Sequence, residues 1–179
     1  MNIRILAEVL LVIFAISIVV VEIIRKTVSP ATSWISTYLT GPYSWIEDIG
    51  FVALFVALEL FPHILNTHGL VTVIFTVAGI GVLMTMVSDK FFPSLFPSLP
   101  TTTISLIHRI SAGIAFTGAT FGLMLVSAST LDTFLLSACL AGTLWLYIGA
   151  KNGSNGQMVA EKLLACGITL IAFLRLKDI

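Results

Sequence analysis

Residues 5–24 read ILAEVLLVIFAISIVVVEII, and this stretch decides the fold class. Twenty residues of this kind, wound as a helix, span about 30 Å, the thickness of the hydrocarbon core of a bilayer. The run over 9–21 is long and continuous, without the ten-residue alternation of a membrane β-barrel strand. In hydrocarbon each backbone N–H and C=O needs an internal partner, so the run must coil into a helix. It is too long for a signal-peptide core, and no small-x-small cleavage site follows it at a suitable position, so it reads as a retained span.

Five further blocks repeat the pattern over approximately 45–65, 70–87, 104–126, 131–150 and 157–174. Of the 179 residues, 58% are hydrophobic and 10% charged, and the net charge is zero. The expectation is an all-α, polytopic membrane bundle: one transmembrane domain over 1–179, with six helices and short loops. An even span number puts both termini on one side, here called A. Side A also holds the turns 66–69 and 127–130. Side B holds the longer connections 25–44, 88–103 and 151–156, and longer loops are where binding function collects.

Side B carries Arg25, Lys26, Lys90 and Lys151, with Arg109 and Lys162 just inside helix ends. Side A carries Arg4, Arg175 and Lys177. By raw count of basic residues B is the cytoplasmic face. Trp34, Tyr38, Tyr43 and Trp45 cluster in the first side-B loop, and Trp145 and Tyr147 lie near the end of the fifth block. They read as an interfacial aromatic belt, with ligand stacking as the alternative. The segment 91–100, FFPSLFPSLP, is apolar, yet its three prolines oppose helix. It is expected at the interface, as a non-helical lid over the helix ends or as a plain connector. In the fourth block Ser111, Ala112, Gly113, Ala115, Gly118, Ala119 and Gly122 mark a closely packed helix. Cys139 and Cys166 both fall inside blocks, where thiols behave as small apolar groups.

Ionisable residues inside spans are costly unless paired or hydrated, so their depth is informative. His108 and Arg109 lie about one turn inside the fourth block, and Glu161 and Lys162 about one turn inside the sixth. Glu47 and Asp48 open the second block beside Trp45, and Glu22 approaches the same level from the first. These residues are expected to line one polar chamber open to side B, or to form an ion-pair network that fixes the bundle. If the protein is an enzyme, His108 is its acid or base, Glu161 the partner and Ser105 a candidate nucleophile. Glu8, Glu59, His63 and His68 form a thinner set towards side A. With His63 and His68 at one face and His108 at the other, paired axial ligation of a haem is disfavoured. Neither a phosphate-cradling glycine loop nor a nucleophile elbow is present. No cofactor or metal is expected, and no basic tail offers a nucleic-acid contact.

The segment Ser36-Thr37-Tyr38-Leu39-Thr40-Gly41-Pro42-Tyr43-Ser44-Trp45, running into Asp48-Ile49-Gly50-Phe51, resembles the signature of domain-of-unknown-function family 998. Gly79-Ile80-Gly81, then Phe92-Pro93 and His108, keep the same order, and Met158-Val159-Ala160-Glu161-Lys162-Leu163-Leu164 is similar to the family's last-helix pattern. Where the family has an acidic residue after Phe-Pro, this chain has Ser94-Leu95. The resemblance implies a prokaryotic six-span protein of the cytoplasmic (inner) membrane with both termini inside, and no transferable activity. The expected function is that of a non-enzymatic membrane protein contacting lipids, or an accessory subunit of a larger membrane complex. The alternatives are a small enzyme acting on a lipid or amphiphile through His108 and Glu161, and a small transporter.

Overall fold

The computed structural model describes residues 2–25, 35, 39–126, 130–144 and 155–177. Trp34, Tyr38, Trp145, Tyr147, Lys26, Lys151 and the turn at 127–129 lie outside them. Seven α-helices and no strand occur among the described residues: α1 (Ile3–Ile24), α2 (Ser44–Ile64), α3 (Leu70–Lys90), α4 (Phe92–Leu95), α5 (Thr101–Leu125), α6 (Thr130–Leu144) and α7 (Asn155–Lys177).

Local chemistry sets the helix ends. Asn2 caps α1, its side chain accepting from Arg4 N–H at 3.0 Å. Ahead of α2 the chain reverses through Gly41 (φ 84°) and Tyr43 (φ 66°), and Arg25 braces the turn by donating to the Thr40 carbonyl at 2.9 Å. The segment after α3 departs from the non-helical expectation. Helix α3 continues to Lys90, and residues 92–95 form the single turn α4. Pro93 sits in its first turn, where a missing N–H costs no hydrogen bond. Phe91, Leu95 and Phe96 of this segment are all exposed.

Each long helix packs on its neighbour in the chain, α4 aside, and α7 returns to α1, closing a ring. The α3–α5 and α1–α2 contacts are the most extensive. Gly81 explains the first. A Cβ built on it would lie 2.8 Å from Ala115 N and 2.9 Å from Ser111 O, so the α3 backbone rests on that of α5. Ala78 meets Gly118, and Phe75 meets Gly122, along the same crossing. The α1–α2 crossing uses Gly50, where a Cβ would fall 1.9 Å from Ser17 Oγ. Close backbone approach of this kind supplies dispersion contacts where large side chains cannot fit.

The core is aromatic towards α2 and α3. Phe61 stacks on Phe75 at 5.5 Å, and Phe14 meets Phe51 edge-on at 6.1 Å. Along the axis, side chains of α1, α2, α3, α5 and α7 enclose a cavity of about 60 Å³, while α6 packs outside it against α5 and α7. Apolar side chains also cover the outside. Ile5, Val9, Val12, Ile16, Val19 and Ile23 form an exposed stripe along α1. Similar rows run along α3 (Leu70, Val73, Val77, Ile80) and α5 (Leu106, Ile110, Ile114, Phe121).

Helices α1 and α3 are each long and apolar enough to cross a membrane. These are two of the six spans expected. Helix α2 is interrupted by Glu47, Asp48 and Glu59, and α5 by His108, Arg109 and its many small residues.

Gly81→Val should lower stability by about 1–3 kcal/mol, the usual cost of overpacking a close contact. Ile80→Val, one residue away on the exposed face, should leave it unchanged. Thermal unfolding of the purified variants measures the difference, and equal melting temperatures would contradict the close α3–α5 approach.

Candidate functional site

The up-and-down course of the helices gathers the polar residues at two ends. At one end the chain's own termini meet. Arg4 donates to the Lys177 carbonyl at 3.2 Å, and Glu8 lies between Arg4 Nε (3.1 Å) and Lys177 Nζ (2.9 Å). Glu59, in α2, accepts from Thr76 Oγ1 at 3.1 Å. His63 and His68 are exposed.

The opposite end collects the C-terminal turns of α1 and α3 and the N-terminal turns of α2, α5 and α7. Here the residues fall into separate pairs. Asp48 of α2 pairs with Lys90 of α3. Glu22 of α1 pairs with Lys162 of α7 at 2.5 Å. His108 of α5 reaches back to α3, its Nδ1 lying 3.1 Å from Asp89 Oδ1 and 3.2 Å from the Thr85 carbonyl. Both neighbours accept only, so Nδ1 is the ring nitrogen that carries a proton towards them. Ser88 Oγ donates to the Thr85 carbonyl at 3.0 Å and lies 3.4 Å from the same ring nitrogen.

Glu161 is buried, and its Oε2 accepts the backbone N–H of Ile35 at 2.8 Å. One acidic side chain thereby fixes the connection between α1 and α2 against α7. Glu47 is fully buried, and neither of its carboxyl oxygens has a hydrogen-bond partner among the described residues. The Ser17 hydroxyl beside it is turned to the Phe14 carbonyl at 2.8 Å.

The sequence-predicted set is therefore divided. Glu22, Glu47, Asp48, His108, Glu161 and Lys162 all lie at this end. Among them only Glu161 lines the axial cavity, whose lining also includes Thr85 and Ile35. Arg109 and Trp45, expected in the chamber, are exposed, as is Ser105, the further candidate of the enzyme reading. The reason is helical phase: one residue is a 100° rotation, and His108 facing α3 turns Arg109 outward. Ser105 is no more available to His108, since an exposed hydroxyl three residues earlier does not share the ring's partly buried face.

Thr85, Ser88, Asp89 and Ile35 are site residues that sequence reasoning missed. Ser88 and Asp89 were assigned to the side-B loop because the apolar run ends at Val87. Their signal was present: continuing the helical period one turn past Val87 places Asp89 four residues after Thr85, on the same face. Among the described residues no group of three or more His, Cys, Asp or Glu side chains is placed to hold a metal ion. No family model, curated protein or solved structure matches the chain.

Glu161→Ala should cost about 1–3 kcal/mol, because it strands the buried Ile35 N–H without an acceptor. Arg109→Ala, at an exposed position on the adjacent blocks' outer face, should change nothing measurable. Chemical or thermal unfolding checks both. If the two variants behave alike, Glu161 does not anchor the α1–α2 connection.

Proposed function

We propose that this chain is an integral membrane protein, a six-span bundle acting without catalysis by contact with membrane lipids or a partner membrane protein. One observation carries the reading: apolar stripes cover the outside while acidic groups lie inside. Val12, Ile16, Val19 and Ile23 are 43–68% exposed on one face of α1. Glu47 and Glu161 are at most 4% exposed. Water does not tolerate such extended apolar rows on a monomer's surface, and hydrocarbon does. Partner helices also bury them, which is how an accessory subunit is held.

The meeting of Arg4 with Lys177 supports an even number of crossings. The resemblance to family 998 adds a prokaryotic cytoplasmic membrane with both termini inside, and we carry these as part of the proposal. For α2 and α5, pairing offsets part of the cost of crossing, because Asp48 is paired with Lys90 of α3 and the His108 ring with Asp89 of the same helix.

A second reading, an enzyme acting on an amphiphile, rests on the His108–Asp89 pair. A histidine whose Nδ1–H is held by a carboxylate is a competent general base. The Ser88 hydroxyl near its ring lies on the Nδ1 side and donates to the Thr85 carbonyl, and Ser105 is exposed, so neither is a nucleophile placed against Nε2. Lipid turnover by the purified chain that disappears in His108→Ala would favour this reading, while co-purification of a stoichiometric partner in mild detergent would favour the first.

Val12→Arg separates membrane from water. Facing hydrocarbon near the middle of α1, the charge should cost about 2.5–3.5 kcal/mol of insertion free energy and reduce the carbonate-resistant fraction of expressed protein. Facing water, the same change should be silent. A fully silent Val12→Arg would sink the membrane reading.

A further inference from the structure

We propose that Glu47 is a binding site for one exchangeable monocation, a proton or an alkali ion, held where α1, α2 and α7 converge. The inference begins with an imbalance. Four carboxylates occupy this end near one another: Glu22 from α1, Glu47 and Asp48 from α2, and Glu161 from α7. Glu22, Asp48 and Glu161 all lie within electrostatic range of Glu47. Among the described residues at this end, Lys162 is engaged by Glu22 and Lys90 by Asp48. Arg25, at the end of α1, donates to the Thr40 carbonyl. Glu161 accepts the Ile35 N–H. Glu47 alone of the four is fully enclosed with both oxygens unpartnered among the described residues.

An isolated buried carboxylate is among the most costly groups a protein interior can hold. With three like charges around it the cost rises further. A bound positive charge removes both terms. Ser17 fits this role: its hydroxyl proton is committed to the Phe14 carbonyl, so its oxygen offers lone pairs towards α2. Lone pairs there can receive a carboxylic O–H or a cation.

The site's occupancy has a mechanical consequence. Glu22 and Glu161 belong to the two helices that close the ring, and Glu47 faces both. Loading Glu47 relieves repulsion across that closure, and emptying it restores the repulsion. Phe51, one turn along α2, and Glu161 both line the axial cavity, so the change is felt there. This goes beyond the proposed function and stands without it, because Glu47 is enclosed by the chain's own side chains.

Infrared spectroscopy of the full chain, in detergent or reconstituted in phosphatidylcholine vesicles, tests the site. If the ligand is a proton, the wild type shows a carboxylic-acid C=O band at neutral pH that shifts in heavy water and is lost in Glu47→Gln. For an alkali ion the band is missing. Replacing choline chloride by sodium or potassium chloride at constant ionic strength then raises the wild-type melting temperature by several degrees, a response lost in Glu47→Gln. Should Glu47→Gln fail to fold, Glu47→Asp serves instead, moving the band or weakening the cation response. No acid band and no cation response in the wild type overturns the proposal, as does either signal persisting unchanged in the variants.

Discussion

Closure of α7 onto α1 is the constraint on which the rest of the bundle depends. The two helices share little side-chain surface compared with α1–α2 or α3–α5. They are joined instead by a polar clasp at each end, Glu22 with Lys162 at one and Glu8 with Arg4 and Lys177 at the other. Ion pairs such as these, partly or largely exposed, contribute little net stability, because solvation of the separated charges offsets their attraction. Their value lies in what they forbid. Sliding α7 by one turn against α1 would part both clasps and strand charges in an apolar surround. The clasps thus fix register where dispersion alone would leave it loose.

The same logic orders the other helices. Asp48 with Lys90 sets α2 against α3, and His108 with Asp89 sets α3 against α5. Apolar packing brings these helices together, through Phe61 on Phe75 and Gly81 on Ala115, but such contacts tolerate rotation and sliding better than an ion pair does. Affinity between helices is spread along their lengths, and specificity is concentrated at their ends. A chain with only 10% charged residues has few charges to place, and several of them sit at helix–helix seams.

Much of this was readable in advance, for a physical reason. Runs such as 9–21 leave a chain no choice but helix, and so the helical class followed from hydrophobicity alone. The small residues of 111–122 announced a close approach, though not that Gly81 would be the counterpart. Depth along each run places Glu22, Glu47, His108, Glu161 and Lys162 towards one end, because in antiparallel helices depth is a sequence property. Rotation about each helix axis is not. Without knowing which neighbour α5 packs on, His108 and Arg109 could not be sorted into inward and outward. The helical path of 88–95 was hidden for another reason: three prolines signalled a break, but Pro93 falls where a helix begins and Pro97 only after α4 has ended.

The axial cavity follows from the close crossing of α3 and α5. Bringing their backbones into contact requires small residues on α5, and Ala112, Ala115 and Ala119 supply them. Those same alanines face the axis, where α7 also presents small residues in Ala165 and Ala172. Small side chains from two directions leave the middle underfilled, and the phenylalanines of α2 and α3 reach only part of it. Apart from Thr85, Thr169 and Glu161 the lining is apolar, so the space offers water few partners and stays dry. At about 60 Å³ it is smaller than the engineered cavity of about 150 Å³ known to admit benzene. An acyl chain finds no room there without helix movement. Under the proposed function, contact with lipid or with another protein would fall to the outer stripes, while charges at the helix ends hold the helices in register.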